Sequence, residues 1–125
     1  MRATGTFEVK LSPLDAHEPL IGRRSIDKTY TGELDAVGRG EMLAVMDLAL
    51  GSGAYVALER VVGTLSGRTG SFALVHRGLM NRGRQSLVIE VAPDSGDGDL
   101  KGLTGQLEII IEAGRHAYAF DYELP

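Results

Sequence analysis

The stretch Tyr55–Gly78, YVALERVVGTLSGRTGSFALVHRG, restricts the fold of this chain more than any other. It holds two strand-like apolar runs joined by Ser66-Gly67-Arg68-Thr69-Gly70. β-branched and aromatic residues suit a pleated, half-buried surface, and glycine supplies the backbone freedom that tight turns and bulges need. Each run carries one ionisable side chain among apolar ones: Glu59 in the first and His76 in the second. The stretch therefore predicts a β-hairpin with an unusual polar group on each arm.

The flanking sequence repeats the pattern. From Ala3 to Leu11, Phe7, Val9 and Leu11 alternate with polar residues, the period of a strand with one buried face. Pro13, Asp15, His17 and Pro19 break the alternation, so Ser12–Arg23 is expected to be a loop. Ser25–Leu34 predicts a second strand, with Ile26, Lys28, Tyr30 and Leu34 on one face. Gly38-Arg39-Gly40 is expected to turn. Glu41–Leu50 has helix propensity, and Met42, Val45, Met46 and Ala49 fit a helical face. Its neighbours are all strand-like and its turns short, which favours a strand covered on both faces. Turns at Gly51–Gly53 and Asn81–Gly83 bracket the central hairpin, and Gln85–Val91 follows as a strand. Pro93–Gly98 has the composition of a mobile loop. Gly102–Glu112 and Ala117–Leu124 form a last predicted hairpin across Ala113-Gly114-Arg115, with Tyr118, Phe120, Tyr122 and Leu124 on one side. About eight short strands with few helical signals point to an all-β antiparallel barrel or sandwich.

Composition narrows the function classes. Residues 1–125 are expected to form one domain, and 17 single glycines fit many tight turns. A formal charge of −4 with no basic cluster longer than Arg23-Arg24 argues against a nucleic-acid partner. The absence of cysteine removes disulfides, thiolate chemistry and Cys-type zinc sites. No signal region and no apolar run near the ~18 residues of a membrane span are present, so a cytoplasmic location and no membrane partner are expected.

The motif order resembles a bacterial family of uncharacterised domains of unknown function built on an allene-oxide-cyclase-like barrel. The pieces that carry the likeness are ATGTFEVK (Ala3–Lys10), SIDKTYTGEL (Ser25–Leu34), the whole Tyr55–Gly78 stretch, VAPDSGDGDLKGLTG (Val91–Gly105) and YAFDYEL (Tyr118–Leu124). The resemblance implies an eight-stranded antiparallel β-barrel, lipocalin-like in architecture, and supports strand over helix at Glu41–Leu50. It implies no activity. Cyclases occur on the wider fold, but that is analogy at the level of the fold.

Strand parity then selects the residues that can carry chemistry. If Phe7, Tyr30, Phe72, Leu74, Leu87, Ile109 and Phe120 face inward, Lys28 and His76 face inward with them. Glu59 is in phase with Tyr55, Ala57 and Val61, although Val56, Leu58 and Val62 make the opposite face equally apolar. A lone buried charge is costly, so Lys28, Glu59 and His76 are expected to satisfy one another. Glu59 and His76 are the candidate acid–base pair. Lys28, Tyr30, Tyr55, Arg68 and Phe72 are the candidate ligand contacts, with Lys28 or Arg68 placed to meet a carboxylate or carbonyl. A structural hydrogen-bond network, a snorkelling lysine, a solvated turn arginine and core tyrosines are the competing explanations.

Other motifs fail. Asp94–Asp97 lacks the spacing and distal glutamate of a calcium loop, and no histidines lie four apart as in zinc proteases. GTLSGRTGS lacks the Lys-Ser/Thr ending of a phosphate-binding loop, and no G-x-S-x-G is present. No metal and no cofactor are expected. The leading reading is a barrel that binds a small, largely apolar ligand. The alternatives are a cofactor-free cyclase or isomerase using Glu59 and His76, and a filled barrel that acts as a homo-oligomer through its apolar outer face.

Overall fold

Alternation becomes strand along nearly the whole chain in the computed structural model, which describes residues 1–125. The strands are β1 (Arg2–Glu18), β2 (Ile21–Gly32), β3 (Leu34–Asp47), β4 (Ser52–Leu65), β5 (Arg68–Asn81), β6 (Arg84–Val91), β7 (Asp97–Gly98), β8 (Thr104–Glu112) and β9 (Arg115–Glu123). Pairing runs β4-β3-β2-β1-β9-β8-β6-β5, and β5 returns to β4, which closes an eight-stranded antiparallel barrel. The short β7 pairs only with the start of β5. Closure removes the free edges that an open sheet would expose.

Local chemistry fixes the hairpins. Ser66-Gly67, Arg82-Gly83 and Ala113-Gly114 all have positive φ at both positions and join strands that pair immediately on either side. That is the requirement of a type I′ turn, whose twist matches that of the strands.

One end of the barrel is filled. Leu34, Leu65, Phe72, Phe120 and Tyr122 pack there, and Leu100 and Leu103 close it from the segment before β8. Phe72 and Phe120 stack with centroids 5.7 Å apart. The Tyr118 hydroxyl accepts from the Leu34 N–H at 2.9 Å and faces the carbonyls of Thr31 and Leu34 at 3.2 and 3.1 Å.

Several local expectations change. Ser12–Arg23 is not a loop: β1 runs to Glu18 and β2 starts at Ile21. β1 pairs with β9 only as far as Thr6, so Pro13 lies where one edge of the strand is unpaired, a position that tolerates proline. Gly38-Arg39-Gly40 does not turn but lies inside β3. The two glycines are spacers: a Cβ on Gly38 would sit 2.0 Å from Glu59 Oε2, and one on Gly40 would sit 1.8 Å from the Leu58 carbonyl oxygen. Glu41–Leu50 is strand as far as Asp47, as its neighbours favour, but it is not covered on both faces, since Leu43 and Val45 are exposed. Pro93–Gly98 is tied down rather than loose. Ser95 Oγ accepts from the Ala73 N–H at 3.0 Å, and Asp97 and Gly98 pair with Ser71 and Gly70.

Candidate functional site

Inward positions on β2, β4 and β5 converge on one carboxylate. Lys28 and Tyr30 project from β2, Glu59 from β4 and His76 from β5, all from positions in phase with core residues. β3 separates β2 from β4, so Lys28 must reach across it. Gly38 stands opposite Lys28, and its missing side chain is the space the Glu59 carboxylate occupies. Any larger residue at 38 would collide with the carboxylate.

Glu59 is fully buried, and His76 and Lys28 are only 4% and 6% exposed. Lys28 Nζ lies 3.1 Å from Glu59 Oε1, and His76 Nε2 lies 2.9 Å from the same oxygen. The Tyr30 hydroxyl donates to Oε2 at 2.5 Å. No buried side-chain nitrogen or oxygen is left without a partner. Lys28 Nζ also sits 5.0 Å from the Phe7 ring centroid and 5.6 Å from that of Tyr30, within cation–π range.

The electrostatics are those of an ionised carboxylate in a dry site. Burial pushes the Glu59 carboxyl up, but the His76 hydrogen bond, the Lys28 charge and the Tyr30 hydroxyl together hold it below the usual value. An ionised carboxylate only accepts, so His76 must present a protonated Nε2 to it. Burial, and then the Glu59 charge, push the Tyr30 phenol far up, so it stays a donor.

Next to this cluster the barrel opens. At the end where β4 begins and β5 finishes lies a cleft of about 620 Å³, lined by Arg24, Met42, Ala44, Met46, Tyr55 and Met80 among others. Gly78 also lines it, and His76 is the next inward residue on β5. A Cβ on Gly78 would lie 2.2 Å from the Tyr55 ring, so the tyrosine lies directly against that glycine. Burial raises the Tyr55 phenol, which keeps its proton at neutral pH.

The candidate residues therefore fall into separate places. Lys28, Tyr30, Glu59 and His76 form one cluster, and none of them lines the cleft. Tyr55 lines the cleft outside the cluster. Arg68 is exposed beside the β4–β5 turn, at the opposite end of the barrel from the cleft. Phe72 is enclosed in the filled end against Phe120 and can meet no ligand in the cleft. Sequence reasoning missed Arg24, Met42 and Met80 as cleft residues. The available signal was phase: Arg24 alternates with Ile26 and Lys28, which shows once β2 is extended back through the supposed loop.

A family model described as "Protein of unknown function (DUF3224)" matches residues 3–122. The chain is also similar to a crystal structure from Shewanella oneidensis MR-1, a DUF3224-family protein with unknown function. The two are 46% identical, with a TM-score of 0.94, covering 100% of this chain and 97% of that one. No curated protein matches the sequence.

Proposed function

We propose that this chain, which belongs to the DUF3224 family of unknown function, is a small-molecule-binding β-barrel. The observation that carries the reading is the asymmetry of the barrel interior. One end is packed with aromatic and aliphatic side chains, while the other holds an apolar cleft of about 620 Å³. Clefts of roughly 300–1,000 Å³, mostly apolar with a few polar groups, are the usual form of a small-molecule site. Met42, Met46 and Met80 give the lining adaptable shape, since the unbranched thioether fills irregular space. In this reading the Lys28–Glu59–His76–Tyr30 cluster braces β2, β4 and β5 under the cleft. A ligand can reach it only by displacing the side chains that bury it, so acid–base catalysis by Glu59 and His76 is the weaker reading.

The outer face supports a second, compatible proposal. Val56, Leu58 and Val62 are 52%, 63% and 51% exposed, and Leu43 and Val37 pair across β3 with Val56 and Val62. These exposed apolar side chains, interleaved with Arg39, Glu41 and Arg60, suit self-association into a homo-oligomer. Sedimentation of the wild type and of Leu58→Lys tests it. A wild-type monomer at micromolar concentration would remove this reading.

Cleft occupancy is tested with N-phenylnaphthylamine, a neutral apolar dye that brightens when it leaves water. Wild-type protein should bind it. Ala44→Phe, which fills the cleft without touching the buried cluster, should lose binding and keep its circular dichroism spectrum. Equal binding by the two proteins would place the dye elsewhere and overturn the proposal.

A further inference from the structure

Arg24 is the one charged side chain among the residues lining the cleft. Alternation sends neighbouring residues of β2 to opposite faces. Arg23 points outward and pairs with Glu41 at 2.8 Å, whereas Arg24 points to the cleft and makes no ion pair or side-chain hydrogen bond. On the outside Arg2 pairs with Asp121 at 2.7 Å and Arg39 with Asp27 at 3.6 Å, while Arg68, Arg77, Arg82, Arg84 and Arg115 make no ion pair; Arg24 differs from these in lining the cleft. The chain has a formal charge of −4, with carboxylates more numerous than cations, yet none is placed against Arg24. No Asp or Glu lines the cleft, and the nearby Glu59 is engaged by Lys28. The cleft thus offers an apolar wall and one unmatched guanidinium.

We infer that the ligand of the cleft is an apolar acid, whose carboxylate or chemically similar anionic group is held by Arg24. The inference rests on the cleft being the binding site and adds the chemical class of what it binds. A guanidinium meets such a group through parallel N–H···O bonds, which are stronger than neutral hydrogen bonds and favoured where water is partly excluded. The Tyr55 hydroxyl and the Gln85 amide, both lining the cleft, add donors for the same group or for a second oxygen.

The test uses two dyes that share an apolar body and differ by one acid group: N-phenylnaphthylamine and anilinonaphthalene sulfonate. Both are titrated against wild type and Arg24→Gln. The wild type should lose about tenfold in sulfonate affinity on this substitution, as one charge-assisted contact implies. Affinity for the neutral dye should stay within about twofold, and Arg24→Lys should recover only part of the loss. Unchanged sulfonate binding in Arg24→Gln, or equal loss for both dyes, overturns the inference while leaving the cleft as a binding site. Failure of both dyes to bind wild type overturns the binding reading itself, and this inference with it.

Discussion

Replacing Glu59 by glutamine preserves the side-chain volume and removes the charge that the cluster is built on. Lys28 Nζ is then left at a position only 6% exposed, with no carboxylate in reach. Removing one partner of a buried pair costs about 3–5 kcal/mol, because the other charge is left uncompensated. The lower end applies here, about 3 kcal/mol, since the Phe7 and Tyr30 rings still face Lys28 and the amide oxygen can accept one bond. For a chain of this size that corresponds to roughly 10–15 °C in Tm. Thermal and urea unfolding followed by far-UV circular dichroism provide the assay. The acid limb fixes the sign. Glu59 has a folded pKa below its unfolded value of about 4.3, so its contribution is present above that pH and is lost as pH falls through the folded pKa. The penalty of Glu59→Gln should therefore be full at neutral pH and shrink in acid. Lys28→Met added to Glu59→Gln should recover part of the loss, because it removes the uncompensated group while the amide oxygen can still accept from His76 or Tyr30. A penalty under about 0.5 kcal/mol at neutral pH, or one that does not change on acidification, would refute the reasoning.

Other substitutions probe separate parts of the structure. Gly38→Ala should destabilise by about 2 kcal/mol, since its Cβ would lie 2.0 Å from Glu59 Oε2, and urea unfolding should show less added loss in a Glu59→Ala background, where the colliding carboxylate is gone. Tyr118→Phe should cost about 1–3 kcal/mol by the same measurement, because the buried Leu34 N–H loses its 2.9 Å acceptor. Arg68→Ala should change stability by less than about 0.5 kcal/mol and leave dye binding intact, as expected of an exposed side chain far from the cleft.

Much of the barrel is legible in the sequence because strand parity is strictly local. Lys28 and His76 follow the alternation of their neighbours inward, and the turns at Ser66-Gly67 and Arg82-Gly83 sit where glycine marks them. Glu59 was harder, since β4 is apolar on both faces: Val61 is buried while Val62 is 51% exposed. What failed depends on tertiary context. Gly38 and Gly40 look like a turn because glycine usually serves one, but here glycine is needed for close approach by a carboxylate and a neighbouring carbonyl on β4. Pro13 looks like part of a loop, yet an unpaired strand edge accepts proline without disrupting the sheet, and only Pro19 lies in the β1–β2 turn. That misplacement hid Arg24, whose inward phase depends on β2 starting at Ile21. The cleft itself has no sequence signature. It exists because small residues such as Ala44, Gly53 and Gly78 leave one end of the barrel unfilled, and volume is a property of all the facing strands together.

Native mass spectrometry of the protein isolated from its own host tests the binding proposal most directly. The expected result is a reproducible noncovalent adduct that is acidic, disappears on denaturation, and is missing from Ala44→Phe purified in the same way. A clean apo mass for wild type, or an identical adduct on the cleft-filled variant, would contradict a ligand-binding cleft.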